Sequence, residues 1–286
     1  MALAWTVRQA RHMTNDRRDG PNYKVSVEER ERFFRDGFVH LEGVLSPAEV
    51  DEIERDYDRF LRREIHVPGK DLCDMSGDYR RTFEQYSIVN VMLPRRYHQA
   101  WVGNIYEQRA ASIAAQLHGL NMEIDYDQLL AKRPFKSDAI FEWHQDQAYW
   151  PVLADSRTAT CWLAVDDSTL ENGCMRFVPR THLEELRPHR PLKNDRGDSH
   201  TLYTDVTAHD EIRPMPIKRG DITVHNERVL HGSGGNTTAG WRRAYIVAFR
   251  AKATITEERR LGFTHSHNDQ LDVLEKVGRE ESRKTE

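Results

Sequence analysis

The run Trp143-His144-Gln145-Asp146 sets an imidazole and a carboxylate two residues apart. On an extended segment residues i and i+2 project from one face, so both groups can reach a single point in space. That makes two metal ligands. His231 supplies a third: it follows a strand-like run and opens His231-Gly232-Ser233-Gly234-Gly235-Asn236, a glycine-rich stretch whose backbone can approach a metal closely. Two imidazoles and one carboxylate on one face of an octahedron leave three positions open, the arrangement that suits iron(II) oxygenases, with two positions for a keto acid and one for dioxygen. His225, six residues before His231, is the competing third ligand; its distance to Arg242 and the lack of a following Gly-Ser favour His231. In a chain with 14 His and 46 acidic residues a His-x-Asp pair is weak evidence alone, so its surroundings must carry the reading.

Arg242 is the first of those surroundings. It lies eleven residues after His231, at the head of the strand-like Arg242-Arg243-Ala244-Tyr245-Ile246-Val247-Ala248-Phe249. In alternation Arg242 shares a face with Ala244, Ile246 and Ala248, so its guanidinium would enter an apolar lumen, which is costly unless it meets a buried carboxylate. The distal carboxylate of 2-oxoglutarate would be such a partner, held by a bidentate pair that Lys could not reproduce. The plainer alternative is a surface charge, Arg242 or Arg243, at the entrance of a strand.

Short strands must position these groups, and they begin at about residue 122. Alternating or β-rich segments broken by turn residues fall near Leu129 to Arg133, Ile140 to His144, Thr160 to Val165, Cys174 to Val178, Asp221 to His225 and Arg243 to Ala251. That spacing predicts a sandwich or jelly roll. Ahead of it, Ser26-Val27-Glu28-Glu29 and Ser46-Pro47-Ala48-Glu49 are capping boxes that open two helices, with Phe38 to Leu41 as a short strand between them. A third helix is expected over about Ile105 to Leu117, ended by Gly119. The predicted fold is therefore mainly β with flanking helices: one domain over residues 26–252, a flexible arm over 1–25 and a charged segment over 253–286, either solvated or a terminal helix. Residues 183–215, rich in Pro and charge, read as a long excursion of the kind that forms lids.

Composition narrows the function. The formal charge of −4 gives no electrostatic drive toward nucleic acid or anionic lipid, so neither is an expected partner. No stretch approaches the roughly 20 apolar residues of a membrane helix. Cys73, Cys161 and Cys174 form no CxxC pair and read as thiols of a reducing cytoplasm. Oligomeric state is not legible.

A wider set of motifs carries a family resemblance. His144-Gln145-Asp146, Cys161-Trp162-Leu163-Ala164-Val165-Asp166-Asp167, Glu171-Asn172-Gly173-Cys174, Val178-Pro179-Arg180-Thr181-His182, Gly220-Asp221 and His231-Gly232-Ser233 with Asn236 and Arg242 resemble the phytanoyl-CoA dioxygenase family over roughly residues 30 to 252. The resemblance implies a double-stranded β-helix of cupin-like type. It also implies iron(II) on His144, Asp146 and His231, and 2-oxoglutarate chelating that iron while its far carboxylate meets Arg242 and Ser233. Trp162 and Gln128 would complete the keto-acid pocket. The implied reaction consumes dioxygen and hydroxylates an unactivated C–H bond of a small-molecule metabolite with release of succinate and CO2; desaturation, epoxidation and ring closure are variants of it. Asp146 stands where halogenating relatives carry a small residue, which disfavours halogenation. Arg180 departs from the Gly that many relatives have before Ser/Thr-His, implying a modified turn.

Substrate choice would fall to Tyr149, Trp150, the 183–215 excursion and parts of residues 66–100. Taken alone, Trp162 is more often a core aromatic, Ser233 a turn residue, and His182 and His189 surface groups or supports for the ligands. The competing function is an inactive or isomerase cupin-like metal protein, which would have no reason to bury Arg242 beside Ser233. A zinc hydrolase would need a general base near its metal, and neither Glu142 nor Asp221 is well placed for that.

Overall fold

Ser26 and Ser46 start the first two helices as their spacing predicts. In the computed structural model, which describes residues 17–193 and 195–268, each serine hydroxyl accepts from the N–H three residues on, and Glu29 and Glu49 accept from the serine N–H in return. Helix α1 (Val27–Asp36) ends at Gly37, whose φ of +87° suits the residue without a Cβ. Helix α2 (Pro47–Leu61) carries Pro in its first turn, and α3 (Ile105–His118) ends at Gly119. No helix among the described residues is long and apolar enough to cross a membrane.

Two antiparallel sheets hold the rest, their longer strands numbered in chain order. The larger contains β1 (Phe38–Leu41), β2 (Leu72–Asp74), β3 (Ile88–Met92), β4 (Met122–Lys132), β6 (Thr158–Ala164), β9 (Ile222–His225) and β11 (Arg242–Ala251), in the order β1-β9-β6-β11-β4-β3-β2. The smaller contains β5 (Phe141–His144), β7 (Met175–Val178), β8 (Arg213–Met215) and β10 (Leu230–Ser233), in the order β8-β7-β10-β5. This is the expected double-stranded β-helix, a jelly roll with flanking helices. Every strand foreseen is present; β3, whose residues are all buried, was not foreseen, because Asn90 interrupts its apolar run.

The pleat gives the large sheet two different faces. Leu129, Ala131, Tyr245 and Val247 point outward into the main core, against Ile53, Tyr57 and Phe60 of α2 and Tyr106 and Ile113 of α3. Their neighbours Gln128, Leu130, Lys132, Arg242 and Ile246 point inward and line the lumen between the sheets. A smaller apolar cluster including Trp162, Phe177, Ala244 and Ile246 fills the lumen's closed end.

The N-terminal expectation changes, and of the two C-terminal alternatives a helix is present. Residues 1–16 lie outside the described residues, but Arg18–Asp19 pairs with Asn22–Tyr23. Tyr23 is fully buried and its hydroxyl donates to the Glu42 carbonyl at 2.7 Å, so the expected arm is anchored by residue 23. At the other end, helix α4 (Lys252–Arg260) is followed by a buried stretch containing Phe263, His265, Ser266 and His267. Two ionisable groups of this segment are paired inside: Glu258 with Arg250, which also meets Asp125 and Glu227, and His265, whose Nε2 lies 2.9 Å from Asp125. The segment is part of the packed structure as far as Asn268. Residues 269–286 lie outside the described residues. Arg180 has φ +71°, the left-handed region that Gly adopts freely, and its N–H donates to the Asp36 carbonyl; the turn is kept at the cost of some strain.

Two ion clusters clamp α2 to this frame. The Arg243 guanidinium donates to Asp166 at 2.6 and 2.9 Å, to Asp58 at 2.7 Å and to Glu54. Glu49 receives Arg109 at 2.7 and 2.8 Å. Burial alone would raise the Glu49 carboxyl, but the Arg109 and Ser46 hydrogen bonds outweigh it and bring it down to about 2.

Arg243→Met strands three acids around a partly buried site and should lower stability by about 2–3 kcal/mol in urea unfolding at pH 7; a loss under about 0.5 kcal/mol would rank the cluster with ordinary surface pairs. Because the folded Glu49 value lies below the ordinary 4.5, its contribution is present above pH 4.5 and disappears as pH falls toward 2. Wild type should therefore exceed Glu49→Gln by about 1–2 kcal/mol at pH 7, with the gap closing across that window.

Candidate active site

Antiparallel register brings the two histidines together. His144 ends β5 and is paired directly with His231 on β10, and their ring centroids lie 4.2 Å apart. Gln145 stays extended before a short 3-10 turn begins at Asp146, so the carboxylate returns to the same face as His144. The ligand atoms of His144, Asp146 and His231 all lie within 4.8 Å of one another, and all three residues are buried. Asp146 Oδ1 is 3.4 Å from His144 Nε2 and 3.5 Å from His231 Nε2.

Backbone carbonyls settle which ring nitrogen is free. His144 Nδ1 lies 2.6 Å from the Glu142 carbonyl and His231 Nδ1 lies 2.9 Å from the Val229 carbonyl. A carbonyl only accepts, so both Nδ1 atoms carry the proton and both Nε2 lone pairs face Asp146. Burial, then the neighbouring His144, pushes His231 well below the usual imidazole range. Burial would raise the Asp146 carboxyl, but the imidazoles of His231, His144 and His225 outweigh it and hold it well below the carboxylate range. Two Nε2 atoms and a carboxylate oxygen converging on one point are the donors a divalent metal takes, so the donor set fits iron(II). His225 also reaches the cluster, but through the other oxygen: its Nε2 is 3.3 Å from Asp146 Oδ2. Gln145 points away from the cluster and ties down the excursion; its N–H donates to His189 Nε2 and its side chain accepts from the Arg187 N–H. His182 sits apart, against the Phe34 carbonyl.

The same lumen holds two buried cations. Arg242 is 2% exposed and stacks over Trp162 with its guanidinium carbon 5.2 Å from the ring centre; its Nε and Nη1 are buried without an acceptor. Burial brings its pKa down to about 10. Lys132, directly paired with Arg242 across β4 and β11, is fully buried; its Nζ donates to Ser233 Oγ at 2.7 Å and to the Gly234 carbonyl. Burial and the adjacent Arg242 hold its pKa well below the usual lysine value. Neither cation makes an ion pair with a carboxylate among the described residues. A buried, unneutralised guanidinium with a buried amine and a hydroxyl beside it forms a receptor for an anion, and the cradle fits the far carboxylate of 2-oxoglutarate. Lys132 was missed in the sequence, although its alternation with Gln128 and Leu130 on a predicted strand was a usable signal.

A chamber of about 520 Å³ joins these parts, lined by His144, Asp146, His231, Trp162, Ser233 and Arg242 among others. A second, of about 380 Å³, opens from the triad on the other side and shares with the first Tyr126, Gln128, Phe141, His144 and Asp146. Gln128 thus stands between the two, its Nε2 donating to Asn90 Oδ1 at 2.7 Å. Tyr149 and Trp150 line the second chamber. Tyr149 stacks on His200 at 5.0 Å, and Trp150 Nε1 donates to Glu227 at 2.8 Å. His200, from the excursion, and His265 and His267, from the C-terminal segment, complete it. His200 belongs to the excursion nominated from the sequence, though it was not singled out; His265 and His267 were not foreseen, and the alternating His265-Ser266-His267 was the local hint.

The comparisons with known proteins agree with this geometry. The family model for phytanoyl-CoA dioxygenase (PhyH) matches residues 33–244. The peroxisomal phytanoyl-CoA dioxygenase of Mus musculus is 24% identical over 250 residues, covering 80% of this chain and 69% of that protein. The crystal structure of EvdO2 from Micromonospora carbonacea var. aurantiaca superposes with a TM-score of 0.65 at 27% identity, covering 80% of this chain and 91% of that one. Its complex with 2-oxoglutarate gives a TM-score of 0.64 at 26% identity over the same shares. Fold, donor set and family match together place this chain in the phytanoyl-CoA dioxygenase family of iron(II)- and 2-oxoglutarate-dependent oxygenases.

Proposed function

We propose that His144, Asp146 and His231 hold the iron(II), and that Arg242, Lys132 and Ser233 receive the far carboxylate of 2-oxoglutarate, with Trp162 as a wall and Gln128 at the inner end. The substrate, a small-molecule metabolite, enters the second chamber beside Tyr149 and Trp150 and is hydroxylated at an unactivated C–H bond, with release of succinate and CO2. One observation carries the reading: Arg242, buried and without an acid partner, faces the same lumen as the triad. An isomerase or a binding protein on this barrel that uses no keto acid would gain nothing from that cost. With all three cysteines free and buried, we place the enzyme in a reducing cytoplasm.

Each side chain has a separable task. The carbonyls of Glu142 and Val229 hold the two imidazoles by Nδ1, so neither ring can turn its lone pair away from the shared centre. His225 occupies Asp146 Oδ2, which leaves Oδ1 as the oxygen directed at both Nε2 atoms. Trp162 covers the Arg242 guanidinium and keeps water from it. When bound, iron and keto acid supply the dioxygen activation and the C–H oxidation, while the protein fixes their positions and keeps the cavity poor in water.

Anaerobic titration of metal-free protein with iron(II) and 2-oxoglutarate should produce the visible charge-transfer band of a chelated keto acid. Arg242→Ala should weaken 2-oxoglutarate binding by on the order of 100-fold; a folded, iron-loaded wild type that shows no band would refute the cofactor assignment. For the metal, His231→Ala should lose stoichiometric iron(II) in equilibrium dialysis while His225→Ala retains it. The reverse pattern would exchange the roles of the two histidines.

A further inference from the structure

Among the described residues, two arginines have two guanidinium nitrogens each shut away from solvent without an acceptor: Arg242 Nε and Nη1, and Arg196 Nε and Nη2. The first marks the keto-acid pocket. The second lies on the excursion, beside Tyr149 of the second chamber. The Arg196 guanidinium carbon stands 5.5 Å from the Tyr149 ring centre, and Tyr149 is one ring contact, 5.8 Å, from His144. Its charge also acts on His200 and His267, which line the second chamber, and on Tyr79 beside it.

Arg196 is held in place. Ser199 Oγ donates to the Gly77 carbonyl at 2.8 Å, Thr201 Oγ1 to the Met75 carbonyl at 2.7 Å, and the Tyr79 N–H to the Asp198 carbonyl at 2.8 Å. The nearest acid in sequence is already committed: Asp195 Oδ1 accepts the N–H groups of Gly197 and Asp198. Among the described residues no carboxylate pairs with Arg196, so a partly buried cation with two shielded, unaccepted nitrogens is left against Tyr149, a wall of the second chamber, which costs free energy until an anion meets it.

Building on the oxygenase reading above, we propose that Arg196 is the substrate-recognition residue for an organic oxyanion, a carboxylate or phosphonate borne by the substrate a few bonds from the carbon that is oxidised. The planar guanidinium offers such a group two parallel donors. One guanidinium-to-ring step and one ring-to-ring step separate it from His144, so the substrate is small, and the aromatic-rich walls between take its carbon skeleton. Arg242 fixes the co-substrate's acid and Arg196 the substrate's, which keeps the two anions on opposite sides of the triad.

The test is isothermal titration, under argon, of iron(II) protein saturated with 2-oxoglutarate, using butyrate, propylphosphonate and neutral 1-butanol as probes. At least one oxyanion should bind, with the carboxylate-to-phosphonate preference naming the class. Arg196→Gln should weaken that binding at least tenfold, Arg196→Lys should restore part of it, and 2-oxoglutarate affinity should stay at the wild-type value in both variants. Oxyanions that fail to bind protein already holding 2-oxoglutarate, or that bind Arg196→Gln as well as wild type, would overturn the assignment while leaving the cofactor reading intact. Failure of 2-oxoglutarate itself to bind would overturn both.

Discussion

Arg242 and Arg243 are neighbours in the chain and opposites in environment, and the pleat of β11 is what separates them. Arg243 turns outward to three carboxylates and fastens the large sheet to α2. Arg242 turns inward to none. A slip of one residue in the pairing of β11 with β4 would reverse both, turning Arg242 outward to the three acids and carrying Arg243 into the lumen without them. The paired side chains of Lys132 and Arg242, and through Lys132 the placement of Ser233, depend on that register.

Such a lumen cannot stabilise the fold by itself. Its inner wall carries imidazoles, a lysine and an arginine, all desolvated, and each costs free energy until a metal or an anion arrives. The stabilising burial lies on the other face, where Tyr57, Phe60, Tyr106 and Ile113 cover Leu129, Tyr245 and Val247. Two hydroxyls within this outer layer are satisfied individually: that of Tyr57 donates to the Ala244 carbonyl and that of Tyr106 to the Cys161 carbonyl. Helices on one face of the large sheet therefore allow the other face to be costly and reactive. Ligand binding should repay part of that cost, which makes the loaded protein the more stable form.

The legibility of the sequence follows the range of the interactions. Capping boxes at Ser26 and Ser46 are decided within four residues, and both are present. Strand alternation acts over a few residues more; it was enough to turn Arg242 inward and to bring His144 and Asp146 to one face. Long-range pairing is where reading stops. Nothing near Lys132 announces that it lies opposite Arg242, and nothing near Arg250 and Glu258 says that their charges neutralise each other inside rather than face water. The C-terminal segment looked solvated for that reason: composition counts charges but does not pair them. Tyr23 was hidden similarly, a single anchor in a polar stretch whose partners lie some 90 residues away on α3.

The two chambers are also built from different kinds of structure. Every group of the anion cradle sits on a strand within a sheet: Lys132 on β4, Trp162 on β6, Ser233 on β10 and Arg242 on β11. Their positions are fixed by ladders that cannot shift singly. The second chamber draws Tyr149 from a 3-10 turn, His200 from the excursion and His265 and His267 from beyond α4. These pieces are tied to the barrel by individual contacts, such as the Leu202 N–H to the Tyr149 hydroxyl and the His267 N–H to Asp71. Side chains on such segments can be exchanged without moving a strand, whereas a change in the cradle must be accommodated by a whole sheet. The architecture thus separates an anion cradle that resists alteration from a second chamber that tolerates it, with His144, Asp146 and His231 between them.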